Sequence, residues 1–202
     1  MPAPRRRAQP PRRSLLVFAE GAVTEEGYIL FWKRRLRRSV LLDLHHFHGT
    51  PMSLVEAAVA EKEREEREQK RRRGRAHDEY WCVFDIDEHP HLEEAVDLAH
   101  RNDIHLAISS PCVEVWFLLH LVDQRAFLDR DTAKRMSKAA LGCGKELTPE
   151  ALELMAEHCD TASARARALE DKHRGDGTPS PGNPSSGVWR LIDAMQMARP
   201  DS

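Results

Sequence analysis

Three carboxylates from distant parts of the chain carry the strongest chemical signal in this sequence: Glu20, Asp85 and Asp87. Glu20 directly follows the apolar run Leu15-Leu16-Val17-Phe18-Ala19, and Asp85-Ile86-Asp87 ends a second run, Tyr80-Trp81-Cys82-Val83-Phe84. In extended backbone, residues i and i+2 face the same side, so Asp85 and Asp87 make one anionic pair. Carboxylates that close raise each other's pKa unless a cation neutralises them. Hard oxygen ligands of this type suit Mg²⁺ or Mn²⁺, which keep several waters for phosphate chemistry. A simpler reading stays open, in which one Asp caps a helix and the other faces solvent.

Glu114 is a fourth candidate ligand, because a carboxylate within the very apolar stretch 113–121 is costly unless it is paired or metal-bound. A capping role near Pro111 or an ion pair with an Arg would serve it equally. Glu25 falls in a first helical turn, where it stabilises the helix N-terminus, with a supporting role in a metal site left open. His45, His46 and His48 suggest a transition metal, but no fourth ligand follows at suitable spacing. His120 reads as packed or capping. Trp81, Trp116 and Phe117 read as core, and 183–186 as flexible chain whose amides or Asn side chain could approach a phosphate.

The elements that must position these residues follow from hydrophobic pattern. The two apolar runs read as strands covered on both faces, each ending in acid. Thr24-Glu25-Glu26 opens an amphipathic helix with Ile29, Leu30, Trp32 and Leu36 inward and Arg34, Arg35, Arg37 and Arg38 outward. Residues 40–47 predict a second strand. A helix from Ser53 becomes almost wholly charged over 61–73, with acid-to-base pairs four apart, and predicts a solvated extension. A helix from Pro90 to His100, a strand over 104–108 and an apolar helix over 113–121 follow. Further helices run to about residue 172. The Gly-, Pro- and Ser-rich stretch 173–187 predicts a flexible loop, and residues 188–202 a closing helix on the same domain. Strand and helix alternate at a rhythm that implies βαβ units: a mostly parallel α/β sheet flanked by helices, with added C-terminal helices. Polar ligands in such sheets bind beyond the carboxyl ends of the strands, where Glu20, Asp85 and Asp87 fall.

Composition limits the function classes. The 202-residue chain is 41% hydrophobic, enough for one main domain over 14–172, and its formal charge of −2 gives no global attraction to nucleic acid. Nucleic-acid contact would rest on local patches: Arg34, Arg35, Arg37 and Arg38, the stretch 71–75, and a mobile basic arm over 1–13. Four cysteines without a CxxC pair exclude a zinc knuckle and a disulfide scaffold, and fit a cytoplasmic protein. The run 15–19 is too short for a signal peptide or a membrane span.

Four blocks together resemble the RloB-like family. Phe18-Ala19-Glu20-Gly21 with Thr24-Glu25 and Tyr28 resembles its opening CEGxxTExxYF motif, and Val83-Phe84-Asp85-Ile86-Asp87 its DxD motif. Ser110-Pro111-Cys112-Val113-Glu114-Val115-Trp116-Phe117-Leu118-Leu119-His120 is similar to the SNPCFExWLLLHF segment, and Asn183-Pro184-Ser185-Ser186-Gly187-Val188 to the C-terminal NPST block. The resemblance keeps its order over about residues 14–197. Ala19 stands where the family has Cys and Ser110 where it has Asn, and neither change removes a carboxylate.

The resemblance implies a Toprim-like α/β fold, related to topoisomerase, primase and OLD-type nuclease domains. It also implies a metal-dependent phosphodiester-cleaving role in phage defence, beside restriction or abortive-infection genes and an ATPase partner. Carried over by position, Glu20 is a metal ligand or general acid/base, and Asp85 and Asp87 bind Mg²⁺ or Mn²⁺. Two rivals are weighed against it. Haloacid-dehalogenase-type phosphatases also place DxD after an apolar run, but on the first strand and with a Thr where His89 stands here. A non-catalytic subunit would use the same shell to bind nucleic acid or an ATPase partner.

Overall fold

The protein is described by a computed structural model over residues 12–86 and 91–197. Its strands are β1 (Arg13–Ala19), β2 (Val40–Leu44), β3 (Glu79–Asp85), β4 (His105–Ser110) and β5 (Ser185–Ser186). They form one sheet in the order β2-β1-β3-β4-β5. The first four run parallel, and the two-residue β5 pairs antiparallel with the end of β4. The helices are α1 (Thr24–Arg35), α2 (Pro51–Lys70), α3 (Leu92–Arg101), α4 (Glu114–Leu121), α5 (Arg130–Leu141), α6 (Pro149–Glu157), α7 (Cys159–Gly175) and α8 (Val188–Gln196).

The continuous apolar runs of β1 and β3 are explained by helices on both faces. Leu15, Val17 and Ala19 alternate with Leu16 and Phe18, as period-2 backbone requires. The first set, with Trp81 and Val83, packs under α1, α4, α7 and α8. The second, with Tyr80, Cys82 and Phe84, packs under Leu54, Val55 and Ala58 of α2 and Ala95 and Ala99 of α3. Helix α4 buries every residue from Val115 to His120, because α5 and α7 cover the sides that the sheet does not. Truncating a fully buried side chain such as Leu54 in such a layer costs about 2–5 kcal/mol.

Several boundaries differ from the sequence pattern. Strand β2 ends at Leu44, ahead of the histidines. Helix α1 has Val23 at its N-cap, and the Thr24 hydroxyl, expected to cap, donates to the Lys145 carbonyl at 3.0 Å. The charged half of α2 is pinned to the sheet through buried Glu65. That carboxylate accepts from the Tyr80 hydroxyl at 2.6 Å and from the His77 amide at 3.0 Å, and meets the His77 ring at 2.9 Å. Composition predicts a flexible loop over 173–187, yet α7 continues to Gly175 and Pro184 to Gly187 are buried. Ser185 and Ser186 pair with Ser110 and Ser109, while the Gly187 amide donates to the Ile108 carbonyl at 2.7 Å. The ladder comes from β4, far away in sequence, so local composition could not signal it. Residues 1–11 of the expected basic arm and 198–202 beyond α8 lie outside the described residues. No helix among the described residues is long and apolar enough to cross a membrane.

Candidate functional site

The carboxyl ends of β1 and β3 are neighbours, and they bring two of the three predicted carboxylates together. The Glu20 amide donates to the Val83 carbonyl at 3.0 Å, which extends the β1–β3 ladder by one residue. The Glu20 side chain turns back across that ladder, where Oε2 accepts from the Asp85 amide at 3.2 Å. Asp85 ends β3 and is only 8% exposed. Its Oδ2 meets the guanidinium of Arg130, the first residue of α5, at 3.2 Å. The same Arg130 nitrogen lies 3.4 Å from the Pro111 carbonyl. Glu25, in the first turn of α1, is 9% exposed. Gly21 makes room for it: a Cβ there would collide with the Glu25 carboxylate. Glu114 opens α4. Asp87 lies outside the described residues.

Charge in this corner is mutually felt. The Asp85 carboxyl is pushed up to about 8, first by burial and then by the Glu25 charge; Arg130 opposes this, and Glu114 and Glu20 add to it. Glu25 is also raised, again chiefly by burial, while its own backbone amide works against the shift. Glu114, Glu20 and Arg130 act on it as well. The buried Cys112 thiol is raised by burial and then by its Glu114 neighbour, so it is a neutral, inert thiol. Four carboxyl groups and one guanidinium therefore share a partly dry site at the sheet edge. Among the described residues, no group of three or more His, Cys, Asp or Glu is arranged to hold a metal ion. Carboxylate oxygens crowded in this way attract a hard cation or a proton.

The predicted nucleic-acid contacts lie elsewhere. Helices α1 and α2 start at the carboxyl edge of the sheet and end at its amino edge, so the arginines near their C-termini are carried away from Asp85. Arg34 and Arg35 occupy the last turn of α1, and Arg37 and Arg38 follow it. Val40, just beyond them, pairs with Arg13 at the start of β1. Twelve helical residues separate the two edges by about 18 Å. Residues 71–75 follow α2 at the same amino edge. Arg35 pairs with Glu153 at 2.8 Å, and Arg12 donates to the Arg37 carbonyl. Basic residues at these helix ends also complement the helix dipole, which accounts for their placement without a ligand.

The histidine segment borders the carboxylate site. His45 stacks on Phe18 at 4.4 Å, and His48 Nδ1 lies 3.0 Å from the Ala19 carbonyl, beside Glu20, with Nε2 3.7 Å from Glu26. His46 is exposed. His120 is buried, with Nδ1 2.8 Å from the Trp116 carbonyl, as expected for a packed residue. Sequence reasoning missed Arg130, whose part depends on a contact 45 residues away. It also missed the structural work of Asn183, whose side chain accepts from the Leu128 amide at 3.0 Å and donates to the Leu128 carbonyl at 2.8 Å. That clamp fixes the residues just ahead of α5. Asp129, next in line, caps α5 by accepting from the Thr132 amide at 2.8 Å. The family-like NPSS block thus braces the platform that carries Arg130. The signal available in sequence was Asn183 itself, as a side chain whose amide can both accept from and donate to the backbone of one residue.

No curated protein and no solved structure matches the chain. The model of one family, described as RloB-like protein, matches residues 15–195. That match takes in part or all of every strand and all the site residues above, and the chain belongs to the RloB-like family.

Proposed function

We propose that this is a Toprim-type, metal-dependent phosphodiester-cleaving protein whose site is built on Glu20, Asp85 and Asp87, with Glu114 beside them. The observation that carries the reading is the buried Asp85 carboxyl, tied through its amide to Glu20 and crowded by Glu25 and Glu114. Such a cluster is costly as bare charge, and it is relieved by a hard divalent cation held by these oxygens. Mg²⁺ or Mn²⁺, when bound, would supply charge neutralisation for a phosphodiester and an acidified water. Glu20 holds the Asp85 backbone in register and offers its carboxylate as proton acceptor or ligand. Asp85 supplies the anionic end of the site, Asp87 would be its second ligand, and the helix N-termini of α1 and α4 face the same edge. A defence role with an ATPase partner, in the cytoplasm, belongs to the same proposal.

The test is cleavage of labelled DNA and RNA by the purified protein, alone and with a neighbouring ATPase. The expected result is cutting with Mg²⁺ or Mn²⁺ that stops in EDTA and in Glu20→Gln and Asp85→Asn. Cutting that survives EDTA contradicts the proposal. A second reading, a non-catalytic nucleic-acid-binding or regulatory subunit, is favoured by one observation: the arginines of 34–38 and 71–75 gather at the amino edge, away from the carboxylates. It predicts strand binding through those arginines without metal-dependent cleavage.

A further inference from the structure

Among the cations foreseen as phosphate contacts, those at 34–38 and 71–75 stand at the amino edge of the sheet. Arg130, at the carboxyl edge, touches Asp85 directly. Its Nη2 lies 3.2 Å from Asp85 Oδ2 and 3.4 Å from the Pro111 carbonyl. Its side chain is 33% exposed, so it is not sealed in the core. The residue sits on a rigid base, at the first position of α5, behind an Asp129 cap and the Asn183 clamp on Leu128. Resting on the metal-site reading above, we infer that Arg130 is a competing cation at Asp85, and that it passes from Asp85 to a phosphate oxygen of the substrate when a divalent metal takes its place.

A metal ion and the guanidinium would use the same Asp85 oxygen and repel each other at that short range in a partly dry site, so binding of one weakens binding of the other. A guanidinium released there still carries its fork of N–H donors beside the same site, and that fork matches two oxygens of a phosphodiester. Two opposite effects follow from one residue. Arg130 weakens metal binding in the ligand-free protein, and it strengthens phosphate binding in the metal-loaded protein. A merely structural arginine, bracing β3 against α5, does neither: its loss lowers stability and loosens the metal site.

The experiment titrates Mn²⁺ into wild type, Arg130→Gln and Arg130→Lys, following free Mn²⁺ by electron paramagnetic resonance. Binding of a short fluorescein-labelled DNA or RNA strand is then measured by anisotropy at saturating Mn²⁺. Near-ultraviolet circular dichroism without metal checks that each variant is folded. The expected result is that Arg130→Gln binds Mn²⁺ about tenfold more tightly than wild type and the strand about tenfold more weakly, a size typical of coupling between linked ligands. Arg130→Lys, which keeps the charge and loses the fork, should retain wild-type Mn²⁺ affinity and recover only part of the strand affinity. If wild type binds Mn²⁺ while folded Arg130→Gln binds it no more tightly, or binds the strand equally well, the inference is overturned alone. If Arg130→Gln is unfolded, the Lys variant decides: Mn²⁺ affinity differing from wild type overturns the inference. A wild type that binds no Mn²⁺ overturns the metal-site reading, and the inference with it.

Discussion

His120 separates a packed histidine from a catalytic one. Its ring is buried, and its pKa is lowered to about 4, first by burial and then by the charges of His158 and Arg165, against the favourable Trp116 and Phe117 backbone. In the unfolded chain it titrates near 6.5, so as pH falls the unfolded state takes up the proton first. Stability is therefore full above about pH 6.5 and declines as pH falls toward 4, by roughly 3 kcal/mol in total. Denaturant titrations across this range should show that loss in wild type and a flatter curve in His120→Gln. Equal slopes would mean that His120 is not held neutral. The sequence made this residue legible as core because Val115 to Leu119 surround it with apolar neighbours. Arg130 was not legible: nothing local distinguishes it from the other arginines, and its meaning comes only from Asp85.

At the scale of elements, β1 and β3 were legible because each is a short apolar run that ends in acid. Period-2 burial on two faces demanded the covering helices. Helix ends were set less by pattern than by contacts, as Thr24 shows by spending its hydroxyl on Lys145. The segment joining α7 to α8 shows the same limit. Its Gly, Pro and Ser residues read as loop, while its order comes from β4 and from Asn183 on Leu128. Asn183→Ala removes both hydrogen bonds to the Leu128 backbone and should cost about 1–3 kcal/mol. Hydrogen exchange should localise the loosening to 122–130 and to β5. A loss spread evenly over the sheet, or none at all, would contradict the clamp.

Among the described residues, the candidate carboxylates stand beyond the carboxyl edge of the sheet and the arginines of 34–38 and 71–75 at its amino edge. This follows from the fold's connectivity, since crossover helices such as α1 and α3 start at the first edge with acids and end at the second with bases. If the amino-edge cluster binds nucleic acid, changing Arg34, Arg35, Arg37 and Arg38 together to Gln should weaken strand binding and reduce the salt slope by roughly one for each phosphate no longer neutralised. Mn²⁺ binding should stay unchanged, because those residues and Asp85 lie at opposite ends of the sheet. An unchanged salt slope would leave helix-dipole compensation as the whole account of that cluster.

The carboxylate site is tested most directly by thermal melting of wild type and Asp85→Asn, each with and without Mn²⁺. Wild type should gain about 2.7 kcal/mol at a hundredfold excess of Mn²⁺ over Kd. Asp85→Asn replaces a buried carboxyl that is costly to ionise with a neutral group of the same shape, so it should melt at or above wild type without metal and gain nothing from Mn²⁺. A wild type indifferent to Mn²⁺, or an Asp85→Asn protein that is less stable yet still shifted by the ion, would contradict the metal site.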